Sequence, residues 1–479
     1  MRRQESVTTP SQTGARFDLV IIGSGPGGYV GAVRAAQLGL KTAIVEKDPD
    51  LGGTCLLRGC IPTKALLQSA ALHQTLRHAG EFGFKIGDVQ LDFQAVQKRK
   101  TGIVERMSKG VAFLMKKNAV QVFEGIGKIE APGRVSVQSK SGKSQILETK
   151  NILIATGSEA KGLPGMEPDG KKILTSDHIL ELGAVPKSLI ILGAGAVGVE
   201  FASIFSSFGS QVTLVELLPR IVPGEDEEIS KELERCFRKR GITSRTGAKV
   251  QKASPGPKGV EVTMIAGEAG KTESLSAEML LLGVGRRPKS DGLGLDKTRA
   301  VVEKGFVKVD AAYRTAEPGV YAIGDVVGRA PLAHVASHEA VAAVETMAGG
   351  QPHPINYDQV PWCTYCEPEV ARVGLTEKQA AERGYQVKSG KFPFSVLARA
   401  QILGETEGFV KIVSEQKYGE VLGVHIIGPR ATELVSEGAA LLKLEATTEE
   451  IIATMHAHPT LSEAMGEAAL DVLGRSLNR

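Results

Sequence analysis

The chain has 479 residues, of which 42% are hydrophobic and 23% charged, a composition that excludes fibrous and disordered classes and allows about three folded domains. A formal net charge of +4 over that length leaves no basic face for nucleic acid, and five cysteines are too few for a disulfide scaffold. No apolar run reaches the ~18 residues that a membrane span needs. The expected setting is therefore a reducing one: the cytoplasm of a bacterial-type cell, or the mitochondrial matrix if the organism is eukaryotic. The polar segment through Arg16 lacks an apolar signal-peptide core. Arg2, Arg3 and its Ser and Thr content suggest a transit remnant, but Glu5 and its shortness favour a frayed terminus.

Phe17 to Ile22 reads as a buried strand, followed by Gly23-Ser24-Gly25-Pro26-Gly27-Gly28 and an Ala-rich helix. A second strand from Thr42 ends at Glu46. The same order recurs downstream. Leu189 to Leu192 leads into Gly193-Ala194-Gly195-Ala196-Val197-Gly198, then a helix, a strand over 212–215 and Glu216. Each acid lies 23 positions past the first glycine of its own loop. One Gly-x-Gly-x-x-Gly is a weak signal, whereas two with matched strands and acids specify two dinucleotide-binding units of Rossmann type. Gly23, Gly25 and Gly28, and likewise Gly193, Gly195 and Gly198, let backbone approach a pyrophosphate at a helix N-terminus. Glu46 and Glu216 are placed to accept ribose hydroxyls. A carboxylate at 216 also repels a 2′-phosphate, and only Arg220 stands nearby, so the second unit favours NAD over NADP. Two such units imply two dinucleotides, or a flavin and a nicotinamide, and hydride transfer between them.

Between the units, Cys55 and Cys60 lie in Gly52-Gly53-Thr54-Cys55-Leu56-Leu57-Arg58-Gly59-Cys60-Ile61-Pro62-Thr63-Lys64. Gly and Pro interrupt a helix there, and Lys64 supplies a cation that favours thiolate. Five residues apart on a regular helix is poor disulfide geometry, so the glycines at 53 and 59 point to an irregular helix start. The one dense basic run, Arg235 to Arg240, follows Glu225-Asp226-Glu227-Glu228 and precedes Gly241, which is the charge order of one dipole-complemented helix. Cys236, within it, reads as inert. Cys363 and Cys366 read as opposite faces of one strand, with no second pair to complete a zinc site; no metal is expected.

With these motifs in place the chain resembles the flavin-dependent disulfide reductases, from Phe17 to about Gly474. Further matches are Ala155-Thr156-Gly157-Ser158, Gly285-Arg286-Arg287-Pro288, Tyr321-Ala322-Ile323-Gly324-Asp325, Leu332-Ala333-His334 and His456-Ala457-His458-Pro459-Thr460-Leu461-Ser462-Glu463. The resemblance implies an α/β fold of two Rossmann-like domains, for FAD and NAD, plus a C-terminal α+β interface domain. The expected bounds are 1–154 and 285–350 for the FAD domain, 155–284 for the NAD domain and 351–479 for the interface domain. FAD would be held by Gly23, Gly25, Gly28, Glu46, Thr54, Lys64, Gly127, Thr156, Gly157, Asp325, Leu332, Ala333 and His334. NAD would be held by Gly193, Gly195, Gly198, Glu200, Glu216, Val250 and Gly285. Cys55 and Cys60 would form the redox disulfide, Cys55 meeting the substrate and Cys60 the flavin. Lys64 and Glu200 would pair beside the flavin, although an ordinary helix–helix salt bridge is the alternative. His458 would be the base, since an imidazole titrating near neutrality can take and return a thiol proton. Glu463 would orient it, although Thr460-x-x-Glu463 also has the form of a capping box. His456 reads as structural.

The implied activity is oxidation of protein-bound dihydrolipoamide by NAD⁺. The implied partners are a second copy of the chain, so that His458 reaches the other subunit's dithiol, and the lipoyl domains and core subunits of 2-oxoacid dehydrogenase or glycine-cleavage complexes. Glutathione and trypanothione reduction are disfavoured by Glu216. Mercuric and large thioredoxin reductases are disfavoured because Arg475 to Arg479 adds no cysteines. Another flavin disulfide or quinone reductase, or a structural, NADH-sensing flavoprotein subunit, is the alternative reading. Leu57-Arg58 departs from the polar Asn-Val pair usual in the family and bears on the redox potential of the dithiol.

Overall fold

A computed structural model describes residues 16–266 and 270–478. The polar N-terminal stretch, apart from Arg16, lies outside the described residues. The chain divides into two compact units, one of residues 1–57, 105–159 and 287–355, the other of 58–104, 160–286 and 356–479.

The first unit is built on a seven-stranded sheet. Gln121–Glu124, Thr42–Glu46, Arg16–Ile22 and Ser144–Ile154 run parallel in that order, and Val320–Ala322 joins the far edge of Ser144–Ile154. The first half of Ser144–Ile154 pairs instead with Arg134–Gln138, which continues antiparallel to Ile126–Ala131. Leu19, Val20 and Ile21 are wholly buried, so the strand reads as one apolar run without alternation, as a strand covered on both faces must. Helix Pro26–Gln37 packs against helix Ala333–Met347 through small residues. A Cβ on Gly31 would lie 3.3 Å from the Ala340 Cβ, and one on Gly27 would lie 2.4 Å from Ile323 Cδ1. Both glycines are there for close approach.

The second unit contains a five-stranded parallel sheet in the order Thr243–Arg245, Gln211–Val215, Ser188–Leu192, Met279–Leu282, Ile173–Leu174. A three-stranded antiparallel sheet follows over residues 248–277. Helix Cys60–Arg77 packs on helix Ala196–Ser207, and Leu66, Phe201 and Phe205 share one apolar core. The C-terminal part is a five-stranded antiparallel sheet ordered Trp362–Thr364, Glu369–Gly374, Val421–Gly428, Phe409–Glu415, Val387–Pro393. Helices Ala431–Lys443 and Glu463–Val472 cover it. Gly390 admits the second of these, since a Cβ there would sit 2.2 Å from Val472 N.

The basic run forms the expected helix, Glu227–Lys239. Asp226 caps it by accepting the Glu228 N–H at 3.0 Å, Arg238 and Lys239 fill its last turn, and Gly241 follows at φ +78°. The helix breaks at the dithiol as expected: Gly53–Arg58 ends and Cys60–Arg77 begins on either side of Gly59. The reading of Cys363 and Cys366 as two faces of one strand is corrected. The strand stops at Thr364, and Cys366 lies beyond it in the bend that leads to Pro368.

Candidate active site

The two glycine loops have one geometry. Gly23 (φ +104°) and Gly193 (φ +94°) turn where a side chain would strike a neighbouring carbonyl, Ala155 O or Gly283 O, each at 2.5 Å. A Cβ on Gly28 or Gly198 would lie 1.9 Å from the carbonyl of Gly23 or Gly193, so the helix can begin tight on its strand only without one. Gly25 and Gly195 differ: a Cβ there would meet nothing within 4 Å, which leaves an open approach to each helix start. That is the shape a pyrophosphate fits, because first-turn N–H groups face it.

Each acid is fixed in the same way. Glu46 Oε2 accepts from Ser24 N (2.8 Å) and Ser24 Oγ (2.7 Å), and its Oε1 accepts from Asp48 N (3.0 Å). Glu216 Oε2 accepts from Ala194 N (2.7 Å) and its Oε1 from Leu218 N (2.9 Å). Both side chains are buried, and carboxyl oxygens have further lone pairs, so a ribose hydroxyl can still be received. The strand bearing Val250 leaves directly from Glu216, whose carbonyl accepts Ala248 N at 2.9 Å, and Val250 is half-buried there.

In the first unit, a Cβ on Gly53 would lie 2.5 Å from Gly25 Cα, so the short helix carrying Thr54 and Cys55 starts against the first glycine loop. Thr54 and Cys55 are half-buried. Ser158 Oγ donates to Asp325 Oδ2, and Thr156 Oγ1 donates to Lys289 O at 2.7 Å. Gly157 takes the left-handed conformation (φ +68°) between them. Leu332 is the N-cap of helix Ala333–Met347, with Ala333 and His334 in its first turn. Gly127 is buried, its missing Cβ position 3.1 Å from both Ile22 Cγ2 and Val45 Cγ1.

In the second unit, Cys60 is exposed at the start of its helix, and Lys64 follows one turn on. Lys64 Nζ lies 2.8 Å from both oxygens of Glu200, which is buried on helix Ala196–Ser207. His458 is largely exposed and its Nδ1 lies 2.8 Å from Glu463 Oε1. Glu463 Oε2 accepts Thr460 N at 2.8 Å. Orienting the imidazole and closing the turn are therefore both met by one carboxylate. These two bonds hold the Glu463 carboxyl below the usual glutamate range, despite the opposing cost of burial. His456 Nε2 pairs with Glu437 at 2.8 Å, which raises its pKa and ties the segment to helix Ala431–Lys443.

Residues 17–340 match the family model for pyridine nucleotide-disulphide oxidoreductases, and residues 360–469 match that family's dimerisation domain. The chain belongs to the pyridine nucleotide-disulphide oxidoreductase family. It is 47% identical over 470 residues to the dihydrolipoyl dehydrogenase of Bacillus subtilis, covering 96% of this chain and 99% of that one. It is 43% identical over 455 residues to the mitochondrial dihydrolipoyl dehydrogenase of Pisum sativum, covering 95% and 91%. Among solved structures, LpdA from Mycobacterium tuberculosis superposes with a TM-score of 0.87 at 30% identity, covering 95% of this chain and 99% of that one. The HOCl-induced flavoprotein disulfide reductase RclA from Escherichia coli superposes at 0.84 with 26% identity, covering 95% and 99%.

A pyridine nucleotide-disulphide oxidoreductase works through thiols, and the remaining cysteines are unsuited to the task. Burial, with nearby carboxylates, pushes the Cys236 thiol up to about 12 and the Cys363 thiol to about 11, and burial holds Cys366 well above its usual value. All three stay protonated at neutral pH and so are poor nucleophiles. Among the described residues no group of three His, Cys, Asp or Glu side chains is arranged to hold a metal ion. No described helix is long and apolar enough to cross a membrane.

Three supporting residues have no sequence motif of their own. Ser24 adds a hydroxyl to Glu46 and also accepts Gly52 N at 3.1 Å, linking the first glycine loop to the dithiol segment. Glu339, almost wholly buried, accepts Gly324 N at 2.6 Å and fixes the turn beneath Asp325. Tyr365 N donates to Glu200 Oε1 at 2.9 Å. Ser24 lies inside the glycine loop and Glu339 in a mixed helical stretch, so neither stands out by type, and the third, being a backbone contact, left no signal.

Proposed function

We propose that this enzyme is a dihydrolipoyl dehydrogenase, oxidising protein-bound dihydrolipoamide with NAD⁺ through Cys55, Cys60 and FAD. The observation that carries the reading is the His458–Glu463 pair, in a chain that also holds the dithiol and two dinucleotide loops with acids. It is supported by relatives named dihydrolipoyl dehydrogenase at 42–47% identity over at least 95% of this chain.

In this reading His458 takes a proton from one thiol of dihydrolipoamide, and Glu463 stabilises the resulting imidazolium. The substrate thiolate attacks Cys55 Sγ, the Cys55–Cys60 bond breaks, and its electron pair leaves on Cys60 as thiolate. The second substrate sulfur then attacks the first, closing the lipoamide disulfide; its proton passes to Cys55 as that thiolate leaves, and His458 keeps the first proton as imidazolium beside the Cys60 thiolate. Lys64, held by Glu200, keeps positive charge one turn from Cys60. FAD, when bound, would supply the two-electron carrier between the reduced dithiol and NAD⁺. Gly23, Gly25, Gly28, Glu46, Thr54, Lys64, Gly127, Thr156, Gly157, Asp325 and residues 332–334 are assigned to FAD. Gly193, Gly195, Gly198, Glu200, Glu216, Val250 and Gly285 are assigned to NAD.

Residues 1–154 with 285–350 are assigned as the FAD domain, 155–284 as the NAD domain and 351–479 as the interface domain. A homodimer agrees with the dimerisation-domain match, and His458 is taken to serve the partner's dithiol. The lipoyl domains and cores of 2-oxoacid dehydrogenase or glycine-cleavage complexes are the proposed partners, in a bacterial cytoplasm or a mitochondrial matrix.

The test is steady-state turnover of lipoamide, glutathione disulfide and quinones, each with NADH and NADPH. The reading expects lipoamide with NADH to dominate. Preference for glutathione disulfide or quinones would assign a different reductase, and no turnover of any would leave a structural or sensing subunit.

A further inference from the structure

Tyr365 meets the Lys64–Glu200 pair from two sides. Its backbone N–H donates to Glu200 Oε1 at 2.9 Å, and its ring lies under the Lys64 ammonium, with Nζ 4.6 Å from the ring centroid. Two residues further on, Glu367 N donates to Ser203 Oγ at 3.1 Å. Glu200 and Ser203 lie one turn apart on helix Ala196–Ser207, so the 365–367 segment is laid along that helix by two bonds in register. Helix Cys60–Arg77, helix Ala196–Ser207 and the segment after strand Trp362–Thr364 therefore converge on a single ammonium.

We propose that Tyr365 is a positioning residue that fixes the direction of the Lys64 charge, and so sets how strongly that charge favours the reduced state of the site. This rests on the proposed function, which places Lys64 beside the flavin and one turn from the redox thiol Cys60. The physical need is plain. A lysine ammonium sits on a flexible four-carbon stem, and a carboxylate alone lets it swing about the two oxygens. The negative face of an aromatic ring below it removes that freedom and holds the cation by a contact that needs no proton. The phenol is not the active part. Burial pushes its pKa up to about 12, so it stays neutral, and the ring alone does the positioning. The side chain is about one-third exposed, so its removal empties no closed core site.

Two variants separate this role from a merely structural one. Tyr365→Leu keeps the backbone N–H to Glu200 and loses the ring; Tyr365→Phe keeps both. The readouts are the flavin midpoint potential of the holoenzyme, the rate of its reduction by NADH, and the thermal unfolding temperature. Tyr365→Leu is expected to move the potential negative and slow reduction by roughly tenfold, the scale of one partly desolvated cation–π contact. Tyr365→Phe is expected to restore both to the parent values. A potential unchanged in Tyr365→Leu overturns the proposal, and so does a Phe variant as impaired as the Leu one. If Tyr365→Leu yields no folded holoenzyme, Tyr365→Met carries the same expectations. A parent enzyme that fails to oxidise dihydrolipoamide refutes the functional assignment, which the potentials of the two variants do not depend on.

Discussion

Glu463 binds His458 Nδ1 with one oxygen and the backbone N–H of Thr460 with the other, both at 2.8 Å. The carboxylate thus fixes the loop that carries the imidazole as well as the imidazole itself, leaving Nε2 as the nitrogen that can take a substrate proton. Glu463→Gln keeps the shape and removes the charge. The expected result is slower dihydrolipoamide oxidation, on the order of 10–100-fold, milder than removal of the base itself. The check is kcat for dihydrolipoamide with NAD⁺ beside the rate of reduction by NADH, which should be close to the parent's.

Nucleotide choice is predicted from Glu216. In the proposed assignment the buried carboxylate, held by Ala194 N and Leu218 N, would face the 2′-substituent of the nucleotide, so NADH should be preferred to NADPH by a large factor. Arg220, the cation nearest to Glu216 in sequence, is already engaged by Glu227 and by the carbonyls of Pro223 and Glu225. Glu216→Ala should therefore narrow the preference without inverting it. Ratios of kcat/KM for the two nucleotides decide this, and equal ratios in the parent enzyme would refute the assignment.

The parts of the site most legible in the sequence are those in which backbone conformation restricts residue type. The glycine loops could be read because Gly23, Gly28, Gly193 and Gly198 leave no room for a Cβ while Gly25 and Gly195 keep the helix starts open, and the acids because strand and helix lengths fix their offset. Glu339, Tyr365 and Glu437 were not legible. Glu339 reaches Gly324 from 15 residues away, and Tyr365 reaches Glu200 from 165. Such contacts are set by how elements dock, which local periodicity does not encode. The misreading of Cys366 has a local cause: alternation was extended past Thr364, where the strand ends and the chain bends towards the Glu367-Pro368 step. Glu463 looked ambiguous between two roles because a carboxylate has two oxygens and here uses both.

Stability should carry a signature of His425. The side chain is fully buried on strand Val421–Gly428, pairs with Leu375 O through Nε2 at 2.9 Å, and is driven by burial down to about 4. In the unfolded chain a histidine titrates near 6.5, so the unfolded state binds the proton first as pH falls. Stability is thus complete above about pH 6.5 and is lost towards pH 4, by roughly 2–3 kcal/mol from this group. Urea unfolding at pH 7 and pH 5 should show a smaller difference for His425→Gln than for the parent. An identical difference would remove His425 from the account.

The shared-site arrangement predicts complementation. Cys55→Ser and His458→Ala homodimers should each be inactive towards dihydrolipoamide, while verified hybrids of the two should recover part of the activity. One site of such a hybrid carries both lesions and the other neither. Absence of recovery would mean that each chain builds its own site.

The central claim is that His458 serves the thiol half of the reaction and not the nicotinamide half. Anaerobic rapid mixing of parent and His458→Ala enzymes, first with dihydrolipoamide and then with NADH, measures the two halves separately. The account predicts that reduction by NADH stays near the parent rate while reduction by dihydrolipoamide falls on the order of 100-fold or more. Equal slowing of both halves would contradict it and leave His458 as a structural residue of the subunit interface.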